Sequence, residues 1–421
     1  MAAVQSQRPW ADWVKGLLQE RDFRLMWGAG GLGNTGRWMD AVVMGLLVLD
    51  LTDSAFQVAL LFVFRWIPML AFALASGMIA DRINRWAVLV TARLVGVVAT
   101  GAILLLVVAD SVQPWHVFIA SFFLGMTFVL EFPSRRSLLY DLVGGERIVS
   151  AMSLETINTT LGKFVGPFMA GLLVELTGFS GAFVFLLVVY VVAWLFTAMV
   201  QFRQPVTASR SDPFWEKLGH GFKYSIGNGF IRGVLIVTLI MNGLAFSVES
   251  LFPVVARDHL GVGAGLTGIL IAAPAIGSFL AAMAIASLTA LRYHGRVFCL
   301  GLALQMLGLL FFALSPWYPL SFVMLLTAGF GMAGFSTMQS TIILVAARPD
   351  MRGTALGMNG ECIGIAAVGG LAVGVVANYF SAQAAVAMSV SLGLVLLLPV
   401  LLFSSLVRRP ITPPEEIPQA P

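Results

Sequence analysis

The sequence predicts an all-α polytopic membrane protein, with twelve transmembrane helices arranged in two pseudo-symmetric bundles of six. The composition indicates the membrane class, because 59% of the 421 residues are hydrophobic and only 11% are charged. A soluble domain carries about 45–50% apolar and about 25% charged residues. Apolar runs of about 20 residues, the length of a membrane-spanning helix, recur along nearly the whole chain. Such runs are too long for barrel strands, which cross the bilayer in about 10 residues.

The first element is a short amphipathic segment, residues 1–22. Its apolar residues from Trp10 to Leu18 recur at helical spacing, which predicts a helix lying on the membrane surface. Its charged residues distinguish it from a cleavable signal peptide. The predicted spans follow, each placed to within about three residues: 24–50, 55–80, 86–109, 114–139, 150–175, 180–202, 232–257, 264–290, 295–315, 317–346, 353–379 and 382–407.

The longest polar stretch divides these spans six and six. It contains Pro205 and Pro213, followed by Phe214 and Trp215 at the start of a second amphipathic segment. The predicted organisation is an interfacial segment at 1–22, a six-helix bundle at 23–202, a cytoplasmic linker with an interfacial helix at 203–231, a second bundle at 232–407 and a disordered cytoplasmic tail at 408–421.

The distribution of basic residues predicts the orientation. Nearly all of the 25 Lys and Arg residues fall on one side when the predicted loops are assigned alternately to the two membrane faces. Short loops on the cytoplasmic side of a membrane carry the excess of Lys and Arg. Both termini are therefore expected on the cytosolic side, and the expected membrane is a bacterial inner membrane. The same loops explain the net charge of +4 without a nucleic-acid partner.

The two halves show internal similarity. Pro68 in the second span corresponds to Pro274 in the eighth, and Gly166 in the fifth corresponds to Gly370 in the eleventh. Parallel repeats of six spans are typical of secondary transporters, with the substrate path between the halves. The repeat therefore favours a transporter over a receptor.

Charged side chains inside the predicted spans are the candidates for chemistry, because each is costly in the bilayer and usually faces a cavity or a partner. Arg37 and Asp40 have i, i+3 spacing and are expected to pair on one helix face. Glu131 and Arg135 have i, i+4 spacing and are expected to pair as well. The other charges within spans are Arg65, Glu155, Lys163, Glu249 and Glu361.

The turn between the second and third spans carries a recognisable motif. Gly77-Met78-Ile79-Ala80-Asp81-Arg82, with Arg85 after it, resembles the corresponding loop of the major facilitator superfamily, although Asn84 replaces its second glycine. The resemblance implies the major facilitator fold, with Gly77, Asp81, Arg82 and Arg85 as a gating motif. In that role Asp81 is expected near the N-terminus of a neighbouring helix, where the helix dipole favours an anion. The alternative is a solvated charged turn.

The fifth span resembles an antiporter signature. Within Gly162-Lys163-Phe164-Val165-Gly166-Pro167-Phe168-Met169-Ala170-Gly171, the residues Gly162, Gly166, Pro167 and Gly171 match the glycine-proline pattern of facilitator antiporters, which is associated with export. The alternative is a proline-kinked packing helix. Phe132–Leu139 and Gly36–Met39 further resemble the branch that contains macrolide-efflux and enterobactin-type siderophore exporters.

The facilitator resemblance also implies where substrate and protons pass. In that fold the first, fourth, seventh and tenth spans surround a central cavity, and one buried acid is expected to take up a proton. A permanent ion pair that orients helices is the alternative for each acid, and Glu361 pairing with Lys163 is one such case. The proton-coupling or substrate residues implied are Asn34, Arg37, Asp40, Glu131, Asn242, Glu249, Gln339 and Glu361.

These observations predict a secondary active transporter that exports a small amphiphilic organic molecule, such as a drug, siderophore or natural product, in exchange for protons. The expected partners are this small-molecule substrate, protons and the lipid bilayer, with no nucleic acid, and a monomer is expected. The sequence has no phosphate-binding loop or hydrolase constellation, and its 4 histidines lack ligand spacing, so no enzyme, metal or cofactor is expected. A proton-coupled importer, a lipid-moving relative, and a sensor or scaffold without transport are the alternatives.

Overall fold

The computed structural model describes residues 10–82, 84–144, 147–201, 222–286, 293–348 and 351–410. Every regular element with bounds in those ranges is helical. The helices of the N-terminal part are α1 Trp10–Gln19, α2 Arg21–Thr52, α3 Ala55–Arg82, α4 Arg85–Val108, α5 Pro114–Val143 and α6 Ile148–Ala198. Those of the C-terminal part are α7 Gly229–His259, α8 Ala264–Ala286, α9 His294–Leu314, α10 Tyr318–Ala346, α11 Arg352–Gly364, α12 Ala366–Tyr379, α13 Ala382–Phe403 and α14 Ser405–Arg408.

Ten helices in the described part of the chain are long and apolar enough to cross a membrane. Large apolar side chains are exposed on the outside of the molecule, among them Leu105 and Val395. An apolar exterior is unfavourable in water and is what a surface facing lipid tails requires. The chain is thus an all-helical, multi-pass membrane protein.

Two local features change the course of the long helices. In α6 the 51-residue helical segment is broken at Gly178, whose φ of 69° and ψ of −176° are readily adopted by glycine alone. In α7 the α-helix ends at Ile240 and continues as π-helical turns at Met241–Phe246 and Val255–His259, with a 3-10 turn at Ser247–Leu251 between them. Turns of these types are often found at functional sites.

Glycines allow the helices to approach closely. An added Cβ at Gly166 in α6 would lie 2.7 Å from the Thr35 carbonyl oxygen of α2, and one at Gly162 would lie 2.8 Å from the Asn34 carbonyl carbon. At Gly369 in α12, a Cβ would lie 2.1 Å from the Gly243 carbonyl oxygen of α7. Any side chain at these positions would force the backbones apart, so α2 with α6 and α7 with α12 depend on glycine for their contact.

The predicted N-terminal segment forms the short helix α1, whose Leu17 is fully buried with Phe23 and Leu139 in a cluster at one end of the bundle. The predicted linker helix around Phe214 and Trp215 and the predicted tail after Pro410 lie outside the described residues.

Candidate functional site

A central cavity of about 480 Å³ lies between α2, α3, α5 and α6 on one side and α7, α8 and α10 on the other. Its described lining includes six of the eight residues that the resemblance implied for proton coupling or substrate binding, namely Asn34, Arg37, Glu131, Asn242, Glu249 and Gln339. Asp40 lies behind this lining and is fully buried, and Glu361 is not among the described lining residues. Cavities of this size hold drug-sized molecules.

The irregular stretch of α7 forms much of the second wall. Asn242, Phe246, Glu249 and Pro253 all line the cavity, at successive spacings of four, three and four residues. Residues at these spacings lie on one face of a helix. The helical periodicity of α7 is therefore kept along this face, although π-helical and 3-10 turns interrupt the α-helix there.

Asp40 is the most buried acid of the site, and its partners come from other helices. Its Oδ1 is 2.7 Å from Arg65 Nη2 of α3, and the Tyr190 hydroxyl of α6 donates to its Oδ2. Arg65 Nη2 also donates to the Arg37 carbonyl oxygen at 2.9 Å. The predicted Arg37–Asp40 pair is therefore wrong, because Arg65 and Tyr190 surround Asp40 while the Arg37 side chain turns toward α5.

Glu131 in α5 is held between two arginines. Its Oε1 is 3.1 Å from Arg93 Nε of α4, and its Oε2 is 3.3 Å from Arg37 Nη2 of α2. The predicted Glu131–Arg135 pair is also wrong, because Arg135 Nη2 lies 2.8 Å from Glu155 Oε2 of α6. One helical turn separates Glu131 from Arg135, and each pairs with charges that other helices supply.

Two glycines of α2 make room for these guanidinium groups. A Cβ added at Gly33 would lie 1.6 Å from Arg93 Nη1, and one at Gly30 would lie 1.4 Å from Arg135 Nη2. The glycines thus create space for arginines from α4 and α5 against the α2 backbone, in addition to allowing close helix packing.

The polar groups of the second wall form a connected chain. Gln339 Nε2 donates to Thr238 Oγ1 at 2.8 Å, and Thr238 Oγ1 donates to Asn359 Oδ1 at 3.1 Å. Asn242 Nδ2 donates to the Thr238 carbonyl oxygen at 2.9 Å. These hydrogen bonds link α7, α10 and α11 and fix the two predicted cavity amides in place.

Aromatic side chains connect the two walls. The Arg37 guanidinium lies 4.0 Å from the ring centroid of Phe128. The Trp66 ring is 6.0 Å from Phe128 and 5.1 Å from Phe246 of α7, in edge-to-face geometry. Phe246 is in turn 5.6 Å from Phe62. These rings give the cavity a continuous π-surface from α5 to α7.

Lys163 and Glu249 both line the cavity and interact electrostatically, and the described contacts include no ion pair between them. The Lys163 ammonium instead lies 5.2 Å from the ring centroid of Trp38. The acid that influences Lys163 in the structure is thus Glu249, whereas the sequence offered Glu361 as its partner.

The gating motif is only partly described. Gly77, Asp81 and Arg82 lie in the last turns of α3, and their side chains are not among those that the structure describes. Arg85 Nη1 lies 2.6 Å from Asp141 Oδ2, which ties the start of α4 to the end of α5. Asn84 Oδ1 accepts hydrogen bonds from the Trp86 and Ala87 amides, so the residue that replaces the motif's second glycine caps α4.

The end of the cavity away from the gating motif is closed by contacts between the N-terminal and C-terminal helices. Arg257 of α7 pairs with Asp53 in the α2–α3 turn and donates to the Leu49 carbonyl oxygen at 3.3 Å. Glu175 of α6 accepts a hydrogen bond from the Gly265 amide at the start of α8. Toward the other end the cavity extends to Arg136, whose side chain is exposed.

The described residues contain no group of three or more His, Cys, Asp or Glu placed to hold a metal ion. The arrangement instead combines buried acids between arginines with an aromatic cavity, which suits solute and ion passage.

Comparison with known proteins agrees with this arrangement. Residues 15–418 match a family model described as transmembrane secretion effector, which belongs to the major facilitator superfamily. The chain is a major facilitator of this exporter branch.

Two relatives of this facilitator carry exporter names. The enterobactin exporter EntS of Shigella boydii serotype 18 is 26% identical over 366 residues, which cover 80% of this chain and 83% of the relative. EntS of Escherichia coli O139:H28 matches with the same identity and coverage. The facilitator is a transporter and not an enzyme.

Solved facilitator structures share the fold. The nucleoside transporter NupG has a TM-score of 0.67 and 17% identity, covering 91% of this chain and 98% of its own. A POT family transporter in complex with a thioalcohol-conjugated peptide has a TM-score of 0.73 and 12% identity, covering 90% of this chain and 96% of its own.

Sequence reasoning missed two members of the buried network. Arg93 is not among the site residues predicted from the sequence, but it lies in the third turn of α4 and is 6% exposed. Arg93 stands eight residues after Arg85, inside an apolar run, and this position in the sequence indicates that it lies within the span. Tyr190 gave no signal, because membrane helices contain many aromatic residues for packing alone.

Proposed function

We propose that this facilitator is a proton-coupled secondary transporter that exports a small amphiphilic organic molecule across a bacterial inner membrane by alternating access. The observation that carries the proposal is the central cavity, in which Glu131 is held between two arginines, with the buried Asp40–Arg65 pair beside it. Such charges are costly in a membrane protein unless they serve a cavity or an ion path. The cavity lies within one chain, so a monomer is the proposed transport unit.

The proposed architecture has twelve spans in two halves, 23–202 and 232–407. One candidate span, Leu154–Ala198, contains 45 residues. As a straight helix it would be about 68 Å long, more than twice the roughly 30 Å hydrocarbon thickness, so the break at Gly178 supports two spans. Counting Leu154–Ala198 as two spans raises the ten candidates to eleven. Adding α2, which is 32 residues long but contains the charged residues Arg37 and Asp40, gives twelve.

Helix contacts support the relation between halves. The first half meets the second where α6 packs on α8 and where α3 packs on α12. Exchanging the proposed halves converts one of these contacts into the other, since the part of α6 before Gly178 corresponds to the α11–α12 segment and α8 corresponds to α3. We propose both termini in the cytosol, so that the end closed by Arg257 and Asp53 is the periplasmic end and the conformation is inward-facing.

Asp40 and Glu131 are the proposed proton sites. A second, small cavity of about 20 Å³ touches both residues, together with Arg37, Arg65 and Tyr190. Space of this size and polarity accommodates about one water molecule. We propose that a proton entering from the main cavity at Glu131 reaches Asp40 through this polar space. Movement of Arg65 or Arg93 during the transport cycle would change which of the two acids holds the proton.

The test is uptake into inverted membrane vesicles with an acidic lumen, using anilinonaphthalene sulfonate and the neutral dye phenylnaphthylamine as probes. Export in the cell corresponds to uptake in these vesicles, so we expect dye uptake that stops when the pH gradient is collapsed. In Glu131→Gln we expect the gradient-dependent part to fall about tenfold or more, as general acid–base groups contribute at least this much in other proteins. Uptake that ignores the gradient in wild-type vesicles would contradict proton coupling, and no uptake of any probe would favour a sensor or scaffold.

Gly33→Ala provides an independent test of the same network. The added methyl group must displace the end of the flexible Arg93 side chain from the α2 backbone and away from Glu131. We expect the thermal unfolding midpoint to change little, because alanine is favoured over glycine in a helix by about 0.5–1 kcal/mol, while gradient-driven uptake falls. Gly101→Ala is the matched control, since its Cβ would be 3.8 Å from Leu187 Cδ1 and it is absent from the described linings of both cavities. Equal gradient-driven uptake in the two variants would show that the position of the Arg93 side chain does not affect transport.

A further inference from the structure

We propose that the cargo is an aromatic organic anion, with its anionic group bound by Lys163 and its rings held against the aromatic and apolar wall of the cavity. This inference deepens the proposed function and rests on it for the transport role of the site.

The charges of the cavity favour an anion. Among the described residues, its lining has six cationic side chains, Arg37, Arg65, Arg93, Arg135, Arg136 and Lys163, and three acidic ones, Glu131, Glu155 and Glu249. The buried Asp40 adds one negative charge behind the lining and leaves the balance positive. A cavity with an excess of one sign and low-dielectric walls concentrates ligands of the opposite sign.

Most of these cations already have partners. Arg65 pairs with Asp40, Arg37 and Arg93 share Glu131, and Arg135 pairs with Glu155. Lys163 and Arg136 are the two described cavity cations without a contact ion pair, and each lies over an aromatic ring, Trp38 and Phe132 respectively. They are therefore the two cations available to a ligand.

Lys163 is the one placed deep in the cavity. It lies two turns of α6 farther from the cytoplasmic end than Glu155, whereas Arg136 is exposed near that end. Glu249 also lines the cavity, but the described contacts include no ion pair between it and Lys163. An ammonium group that lacks a contact partner in such a site is unfavourable, and an anionic ligand group would compensate it.

The opposite wall suits an aromatic body. It presents Phe246, Ile271, Pro274, Met332 and Phe335 from α7, α8 and α10. The edge-to-face pairs of Trp66 with Phe128 and Phe246 continue this surface to the side on which Lys163 lies. Methionine and aromatic side chains adapt to and stack on rings, so this surface recognises the hydrophobic part of an amphiphile.

The experiment measures equilibrium binding of two probes to the purified protein in lipid nanodiscs, without a pH gradient, after subtraction of the signal from empty nanodiscs. Anilinonaphthalene sulfonate and phenylnaphthylamine share one aromatic ring system, and only the first carries a negative charge. We expect Lys163→Met to weaken anilinonaphthalene sulfonate binding about tenfold or more, as loss of a charged hydrogen bond predicts. Phenylnaphthylamine binding should be unchanged. Glu249→Gln should strengthen binding of the anion, because a repelling carboxylate is removed.

Controls separate charge from folding and from general surface effects. Lys163→Arg retains the cation and should retain most of the affinity for the anion, and Lys223→Met removes an exposed lysine outside the described lining. Equal weakening of both probes in Lys163→Met, or unchanged binding of the anion, would overturn the proposal. Because binding is measured without a gradient, failed proton coupling in vesicles would leave this result intact, and the reverse also holds.

Discussion

Asp40→Asn is expected to reduce gradient-driven uptake to the level of vesicles that lack the protein. Asp40 is fully buried, contacts Arg65 and Tyr190, and shares the small polar cavity with Glu131. Asparagine keeps the shape of the side chain but cannot exchange a proton, so the proposed relay would end at Glu131. Uptake of both dyes into inverted vesicles with an acidic lumen measures the effect.

The same substitution leaves the Arg65 guanidinium without its carboxylate. Removing one partner of a buried ion pair costs about 3–5 kcal/mol, so the thermal unfolding midpoint of Asp40→Asn should also fall. The double variant Asp40→Asn/Arg65→Gln removes both charges and should recover part of this stability without recovering uptake. Asp50→Asn, an exposed position on the same helix, is the control. Gradient-driven uptake by the double variant would mean that Asp40 has only a structural role.

Gly171→Ala is expected to shift the protein away from the conformation in which the proposed periplasmic end is closed. Gly171 of α6 meets Gly268 of α8 at backbone contact, and an added Cβ would lie 2.3 Å from the Ala264 carbonyl oxygen. The obstructing atoms are backbone atoms of a helix in the other half, so relief requires the two helices to separate. Overpacking of this kind costs about 1–3 kcal/mol, enough to change a conformational population about fivefold to more than a hundredfold.

The separation can be measured as a distance between spin labels on Thr177→Cys and Leu266→Cys, two exposed positions on α6 and α8. We expect a longer distance in Gly171→Ala than in the parent. Gly101→Ala introduces the same methyl group where the nearest atom, Leu187 Cδ1, would be 3.8 Å away, and should leave the distance unchanged. An identical distribution in Gly171→Ala would show that this contact does not hold the end closed.

The antiporter-like signature of the fifth span has a packing explanation in the structure. Gly162 and Gly166 contact the α2 backbone, and Gly171 contacts α8, so matching positions of the signature lie where α6 touches two different helices. The Pro167 carbonyl oxygen would be 2.4 Å from a Cβ at Gly268. The small residues are thus required by contacts both within the proposed first half and between the halves.

Much of the fold followed from the sequence alone. Predicted spans such as 55–80 and 264–290 correspond to α3 and α8, because an apolar run long enough to cross a bilayer must satisfy its backbone as a helix. The cavity placement of Asn34, Asn242 and Gln339 agrees with what the family resemblance implied. The π-helical turns of α7 were not predicted, since the apolar pattern of that span does not distinguish them from an ordinary α-helix.

The sequence by itself determined the membrane class, the approximate helix bounds and the presence of buried charges. Only the tertiary structure decided how those charges pair. Spacing along one helix suggested Arg37 with Asp40 and Glu131 with Arg135, yet Asp40 pairs with Arg65 and Glu131 with Arg37 and Arg93. In a helical bundle with little water, a charge interacts most strongly with whichever opposite charge a neighbouring helix brings within about 3–4 Å. That proximity depends on helix packing, including the space left by Gly30 and Gly33, and residue spacing within one helix does not encode it.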